Sequence, residues 1–161
     1  MIDWVSFMQL KALPRAGWVR IGIDNPESVA AHSWGLALLC LEWAPQSQIP
    51  LDIQKVLQIA LVHDLPEVIA GDITPHDGIS KVEKHALEKN AAEKMMPNHL
   101  YKIWEEYQDN QTPEAHFVHQ MDKIDMAIQA IAYRDQENTD EFVDSARRKL
   151  DTEHIAILDA I

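Results

Sequence analysis

A chain of 161 residues can bury one sizeable core but not two, so a single domain over 1–161 is expected. Apolar residues make up 47% and charged residues 25%, with only 5 glycines, which excludes disordered and fibrous chains and disfavours turn-rich β folds. The 26 acidic against 14 basic residues leave a formal charge of −12, which repels a phosphate backbone and argues against nucleic acid polymers as partners; a local pocket of metal ion and arginine still admits a small phosphorylated molecule.

Apolar positions at three and four spacing predict helices over 3–13, 27–43, 52–70, 79–95, 98–109, 113–133 and 139–160. Between them lie "LPRAGW", "DNPES", "APQSQIPLD", "GDITPHDG", "MMPN" and "NQTPE", which read as turns. No alternating β-branched run predicts a strand. The expected architecture is therefore all-α, a compact bundle of about six or seven helices. The N-terminus "MIDWVSFMQL" lacks a basic region followed by a long apolar run, and no stretch approaches membrane-spanning length, so no membrane partner is expected. The lone Cys40, between "LALL" and "LEW", reads as a buried thiol in a reducing compartment. A cytoplasmic location is expected.

Within the second predicted helix, "ESVAAHSWGLALLCL" places His32 in apolar surroundings. Such a residue is more often a hydrogen-bonded core histidine than a ligand. The third, "DIQKVLQIALVHDLPEVIA", is apolar nearly all round from Val56 to Val62 and reads as the central helix, yet it carries His63, Asp64 and Glu67. On a continuous helix His63 and Glu67 stand one above the other, and Asp64 meets Glu67 one turn on. Pro66 cannot donate to the carbonyl of Val62, so the helix is expected to kink or begin to end there. Gly71 would permit a left-handed turn that brings back Asp72. The sixth, "HFVHQMDKIDMAIQAI", holds Asp122. Buried carboxylates must be neutral, paired or bound to a cation, and two imidazoles with two carboxylates suit a divalent ion. His32, His63, Asp64 and Asp122 would thus converge from three helices.

The order His32, His63-Asp64, Asp122 resembles the signature of the HD-domain phosphohydrolases, an all-α superfamily that binds a divalent metal through those four positions. "LPRAGWV" at 13–19, "PESVAAHSW" at 26–34, "ALVHDLPEVIAGDITP" at 60–75 and "VHQMDKIDMAIQA" at 118–130 are similar to its 5'-deoxynucleotidase branch, with the likeness running from about residue 7 to about residue 133. The resemblance implies hydrolysis of deoxyribonucleoside 5'-monophosphates to deoxynucleoside and phosphate. It implies one divalent transition metal ion (Mn, Co, Fe, Ni or Zn) on His32, His63, Asp64 and Asp122. Glu67 matches the family's catalytic glutamate, which implies a general acid/base role, the alternative being an acid that only orients His63.

Asp72 matches a residue facing the substrate sugar, the alternative being a turn or cap residue. Arg15 and Trp18 correspond to a phosphate-binding arginine and a tryptophan that rejects ribonucleotides, the alternative for Trp18 being a plain core residue. Some bacterial members have that pair adjacent, whereas Ala16 and Gly17 intervene here, so Arg20 competes with Arg15. The other histidines, His76, His85, His99, His116 and His119, lack the spacing of a second metal site. The resemblance also implies a small-molecule nucleotide partner and a homodimer. Cyclic dinucleotide hydrolysis is a second reading, although the "GYP" extension that accompanies it is missing after Asp64. A regulator that binds metal or nucleotide without turnover is the third.

Overall fold

Most helix starts in this chain are set by side chains that take up the free N–H groups of a first turn. Ser28 accepts from the Ala31 amide (3.1 Å), Asp52 from Lys55 (3.2 Å), Thr112 from Ala115 (3.3 Å) and Asp151 from His154 (3.1 Å), while Ser80 and Glu83 form a reciprocal capping box. The computed structural model describes residues 4–161. Its elements are α1 (Trp4–Met8), α2 (Ala16–Arg20), α3 (Val29–Trp43), α4 (Ile53–Val62), α5 (Glu67–Ala70), α6 (Lys81–Met95), α7 (Asn98–Asp109), α8 (Pro113–Ala132), α9 (Asp140–Arg147) and α10 (Thr152–Asp159). Two 3-10 turns, Gln9–Lys11 and Ala44–Gln46, follow α1 and α3. No strand occurs among the described residues, and the fold is all-α as expected.

The predicted segments are all helical, but three are subdivided. The first becomes α1 and a 3-10 turn, its predicted start at residue 3 lying outside the described residues. The last breaks where Asp151 caps a new helix. The third breaks at residues 63–66: without an N–H on Pro66, the Val62 carbonyl is taken instead by the Leu65 amide (3.1 Å), and the Asp64 carbonyl by the Glu67 amide (3.0 Å). His63, Asp64 and Glu67 therefore stand on a turn and the start of a short helix, not on one continuous face. The segment read as the turn "LPRAGW" holds α2, whose first amide, Ala16 N–H, is capped by Asp72 Oδ2 at 2.7 Å. A cap from 56 residues away leaves no local trace in the sequence.

The core is built on α3, α4 and α8. Leu36 and Cys40 of α3, Val56, Ile59 and Ala60 of α4, and Ala115, Val118, Met121, Ile124 and Ala127 of α8 are fully buried in one cluster. The deepest element is α8, not α4, which leaves Leu61 exposed. Burial raises the Cys40 thiol to about 12, which makes it an inert core residue. Gly35 is required by close approach: a Cβ there would stand 2.5 Å from Asp125 Oδ1 of α8. No described helix is long and apolar enough to cross a membrane.

Candidate metal centre and its cavity

Three elements deliver the polar groups that the core would otherwise reject. The first turn of α3 supplies His32, the turn after α4 supplies His63 and Asp64, and the middle of α8 supplies Asp122. One ligand atom each from His32, His63 and Asp122 lies within 4.8 Å of the others. Asp64 joins them, its Oδ2 standing 3.0 Å from His63 Nε2 and 3.7 Å from His32 Nε2, while Asp122 Oδ1 is 3.1 Å from His32 Nε2.

Hydrogen bonds on the far side of each ring decide what the near side offers. His63 Nδ1 lies 2.8 Å from the Ala60 carbonyl, which can only accept, so Nδ1 carries the proton and Nε2 presents a lone pair. His32 Nδ1 faces Asp125 Oδ2 at 2.6 Å, an approach that Gly35 makes possible. Both Nε2 atoms are buried, and apart from the close carboxylates of Asp64 and Asp122 neither has a polar partner. Two imidazole nitrogens facing two carboxylates fit a divalent cation, which would offset both acids and satisfy both rings.

Charge in the site follows from this crowding. Burial and the Arg15 charge favour a neutral His32, yet the Asp122 and Asp125 carboxylates outweigh them and lift the ring to about 9. Burial works against Asp64 and Asp122 as anions, but His63, His32 and Arg15 hold Asp64 below the usual carboxylate range, and Lys123 and His32 hold Asp122 well below it. Glu67 goes the other way. Burial first, then the charges of Asp64 and Asp72, push it well above the ordinary value, and its buried Oε2 has no partner. One pH dependence follows: metal must displace the proton on His32, so metal affinity falls about tenfold for each pH unit below about 9. A chelator-competition titration against pH measures that slope.

A cavity of about 410 Å³ opens on these groups, with Arg15, Asp64, Glu67, Asp72, Tyr107 and Asp122 in its wall. Arg15 is fixed by its own amide to the Glu27 carbonyl (3.0 Å) and approaches Asp64 Oδ2 (3.4 Å) and Asp72 Oδ2 (3.8 Å). Gly71, at φ +80°, turns the chain so that Asp72 reaches α2. Arg20 also lines the cavity but spends its guanidinium on Glu141 at 2.5 Å. Trp18 lies at the cavity wall, almost wholly buried, with Nε1 donating to Glu27 Oε1 (2.9 Å) and its ring against Tyr133 and Phe142. Trp18→Ala is expected to cost about 3–5 kcal/mol in a urea titration.

His76 and His119 line the cavity, while His85, His99 and His116 lie on the surface or in other contacts. Sequence reasoning missed Asp125, which orients His32, and Lys123, whose Nζ bonds Asp122 Oδ2. Asp125 lies one turn from Asp122 on an apolar helix, the signal that marked Asp122 itself.

The HD domain family model matches residues 7–157. The chain belongs to the HD-domain family of metal-dependent phosphohydrolases. This HD-domain chain is 39% identical to the 5'-deoxynucleotidase HDDC2 of Dictyostelium discoideum, over 92% of this chain and 90% of that protein. It is 36% identical to the 5'-deoxynucleotidase HDDC2 of Homo sapiens, over 93% and 78% respectively. Among solved structures, the PH0347 protein from Pyrococcus horikoshii OT3 is similar to the HD-domain chain at a TM-score of 0.85 and 34% identity, covering 97% of this chain and 94% of the other.

Proposed function

We propose that this HD-domain chain is a 5'-deoxynucleotidase, releasing phosphate from deoxyribonucleoside 5'-monophosphates. The observation that carries the reading is a buried acid, Glu67, whose pKa is pushed upward by burial and by Asp64 and Asp72, in the wall of the same cavity as the cluster of histidine nitrogens and carboxylates. The names of the relatives at 36% and 39% identity support the substrate class.

In this reading His32, His63, Asp64 and Asp122 hold the divalent ion. When bound, that ion polarises a phosphoryl oxygen and lowers the pKa of water. Arg15 holds the phosphate by its planar fork, with Asp64 and Asp72 keeping the guanidinium in place. As water adds to phosphorus and the P–O5' bond breaks, Glu67 gives its proton to the departing 5'-oxygen and is reprotonated by the proton that the attacking water releases. Asp72 uses Oδ2 as a cap for α2 and has Oδ1 for a sugar hydroxyl. Trp18, held by Glu27, stiffens the wall against which a 2'-hydroxyl would press.

The chain is taken as a single HD domain over 1–161, acting in the cytoplasm. The exposed Trp34, Leu38 and Leu41, spaced along one face of α3, support a homodimer. A panel of deoxy- and ribonucleoside 5'-monophosphates, assayed for released phosphate with each metal returned after chelation, tests the substrate assignment. Preference for the deoxy series is expected. Equal turnover of both series would remove Trp18 from its role.

A further inference from the structure

We infer that the phenol of Tyr107 is a substrate-contacting group, donating a hydrogen bond to a phosphate oxygen held at the metal centre. This rests on the phosphomonoesterase reading and adds a residue to it. Tyr107 lies on α7 and lines the same cavity as Arg15, which precedes α2. Its ring is fixed on two sides. It stacks on His119 with centroids 3.8 Å apart and planes within 13°, and meets the edge of His63 at 5.1 Å and 65°. Its own carbonyl is bonded by His119 Nε2 at 2.9 Å, so backbone and ring are held by the same histidine.

A ring clamped in this way has one polar atom, and that atom is uncommitted. Tyr107 is mostly buried, yet its hydroxyl is not among the fully sealed polar atoms and forms no side-chain hydrogen bond with another described residue, so its outlet is the cavity that Tyr107 lines. The charged groups facing it are Asp122, Asp64, Arg15 and Glu67, which are the groups that surround the phosphate in the mechanism above. A core tyrosine normally bonds its hydroxyl to protein or lets it reach bulk solvent. Here the hydroxyl opens into the cavity beside the cluster, where an anion with free lone pairs would complete it. Arg15 and Tyr107 would then hold the phosphate from two separate elements, one as a cation and one as a neutral donor that adds no repulsion toward the metal.

The experiment is Tyr107→Phe, which keeps both ring contacts and removes only the hydroxyl. Phosphate release from a deoxynucleoside 5'-monophosphate and inhibition by inorganic phosphate are measured on the metal-loaded protein. The loss expected in kcat/KM is about 10- to 150-fold, the worth of one hydrogen bond to a charged acceptor, with weaker phosphate inhibition. Metal stoichiometry and melting temperature should stay at wild-type values. Wild-type kinetics and phosphate inhibition in the variant would overturn the inference while leaving the phosphohydrolase reading intact. If the variant loses metal, the role of Tyr107 is to pack His63 and the inference likewise fails. If the wild-type chain itself releases no phosphate, it is the functional reading that fails.

Discussion

Glu67→Gln is expected to lower phosphate release by roughly 10²- to 10⁴-fold without loss of metal. Glutamine has the size of the protonated acid and fits the same buried space, but it has no proton to give. Full activity in this variant would remove Glu67 from proton transfer and leave it as an orienting acid. The same substitution is expected to stabilise the metal-free protein. Glu67 has its native pKa raised above the ordinary 4.5 by burial and by Asp64 and Asp72. Between those two values the native state binds the extra proton, so stability declines as pH rises through 4.5 and stops declining above the native value. Glutamine removes that decline. The variant should melt higher than wild type at neutral pH and equally with it below 4.5, as thermal unfolding against pH would show.

The second large effect concerns the ligands themselves. His63→Ala removes a donor whose tautomer is already fixed by Ala60, and activity should vanish at any metal concentration. Asp125→Ala leaves every ligand in place but frees His32 Nδ1, so metal affinity should fall by about 10- to 100-fold and excess metal should restore turnover. Isothermal titration with the metal alone, alongside phosphate release, separates the two. Rescue of His63→Ala by excess metal would contradict its place in the cluster.

The pattern of apolar residues made the all-α architecture legible, and the misfit of His32, His63, Asp64 and Asp122 with apolar helices marked the site. The physical reason is simple: a buried charge is costly, so its presence in a core pattern signals a partner. Long-range partners were not legible. Nothing local in "PRAGW" shows that Asp72 caps α2, and nothing near His32 shows that Gly35 admits Asp125. The break at residues 63–66 was half visible, because Pro66 announces a lost hydrogen bond but not that the turn begins at His63. The depth of α8 was masked by its own function, since Gln120, Asp122 and Asp125 interrupt the apolar face that would have marked it as central.

If the buried His/Asp cluster holds the ion that drives catalysis, phosphate release by this HD-domain chain depends on a divalent metal. Phosphate release from a single deoxynucleoside 5'-monophosphate, followed before chelation, after it, and after return of a divalent metal, tests it most directly. Activity that is lost on chelation and regained with one metal ion bound per chain is the result predicted. Release that continues unchanged in the chelated protein would contradict it.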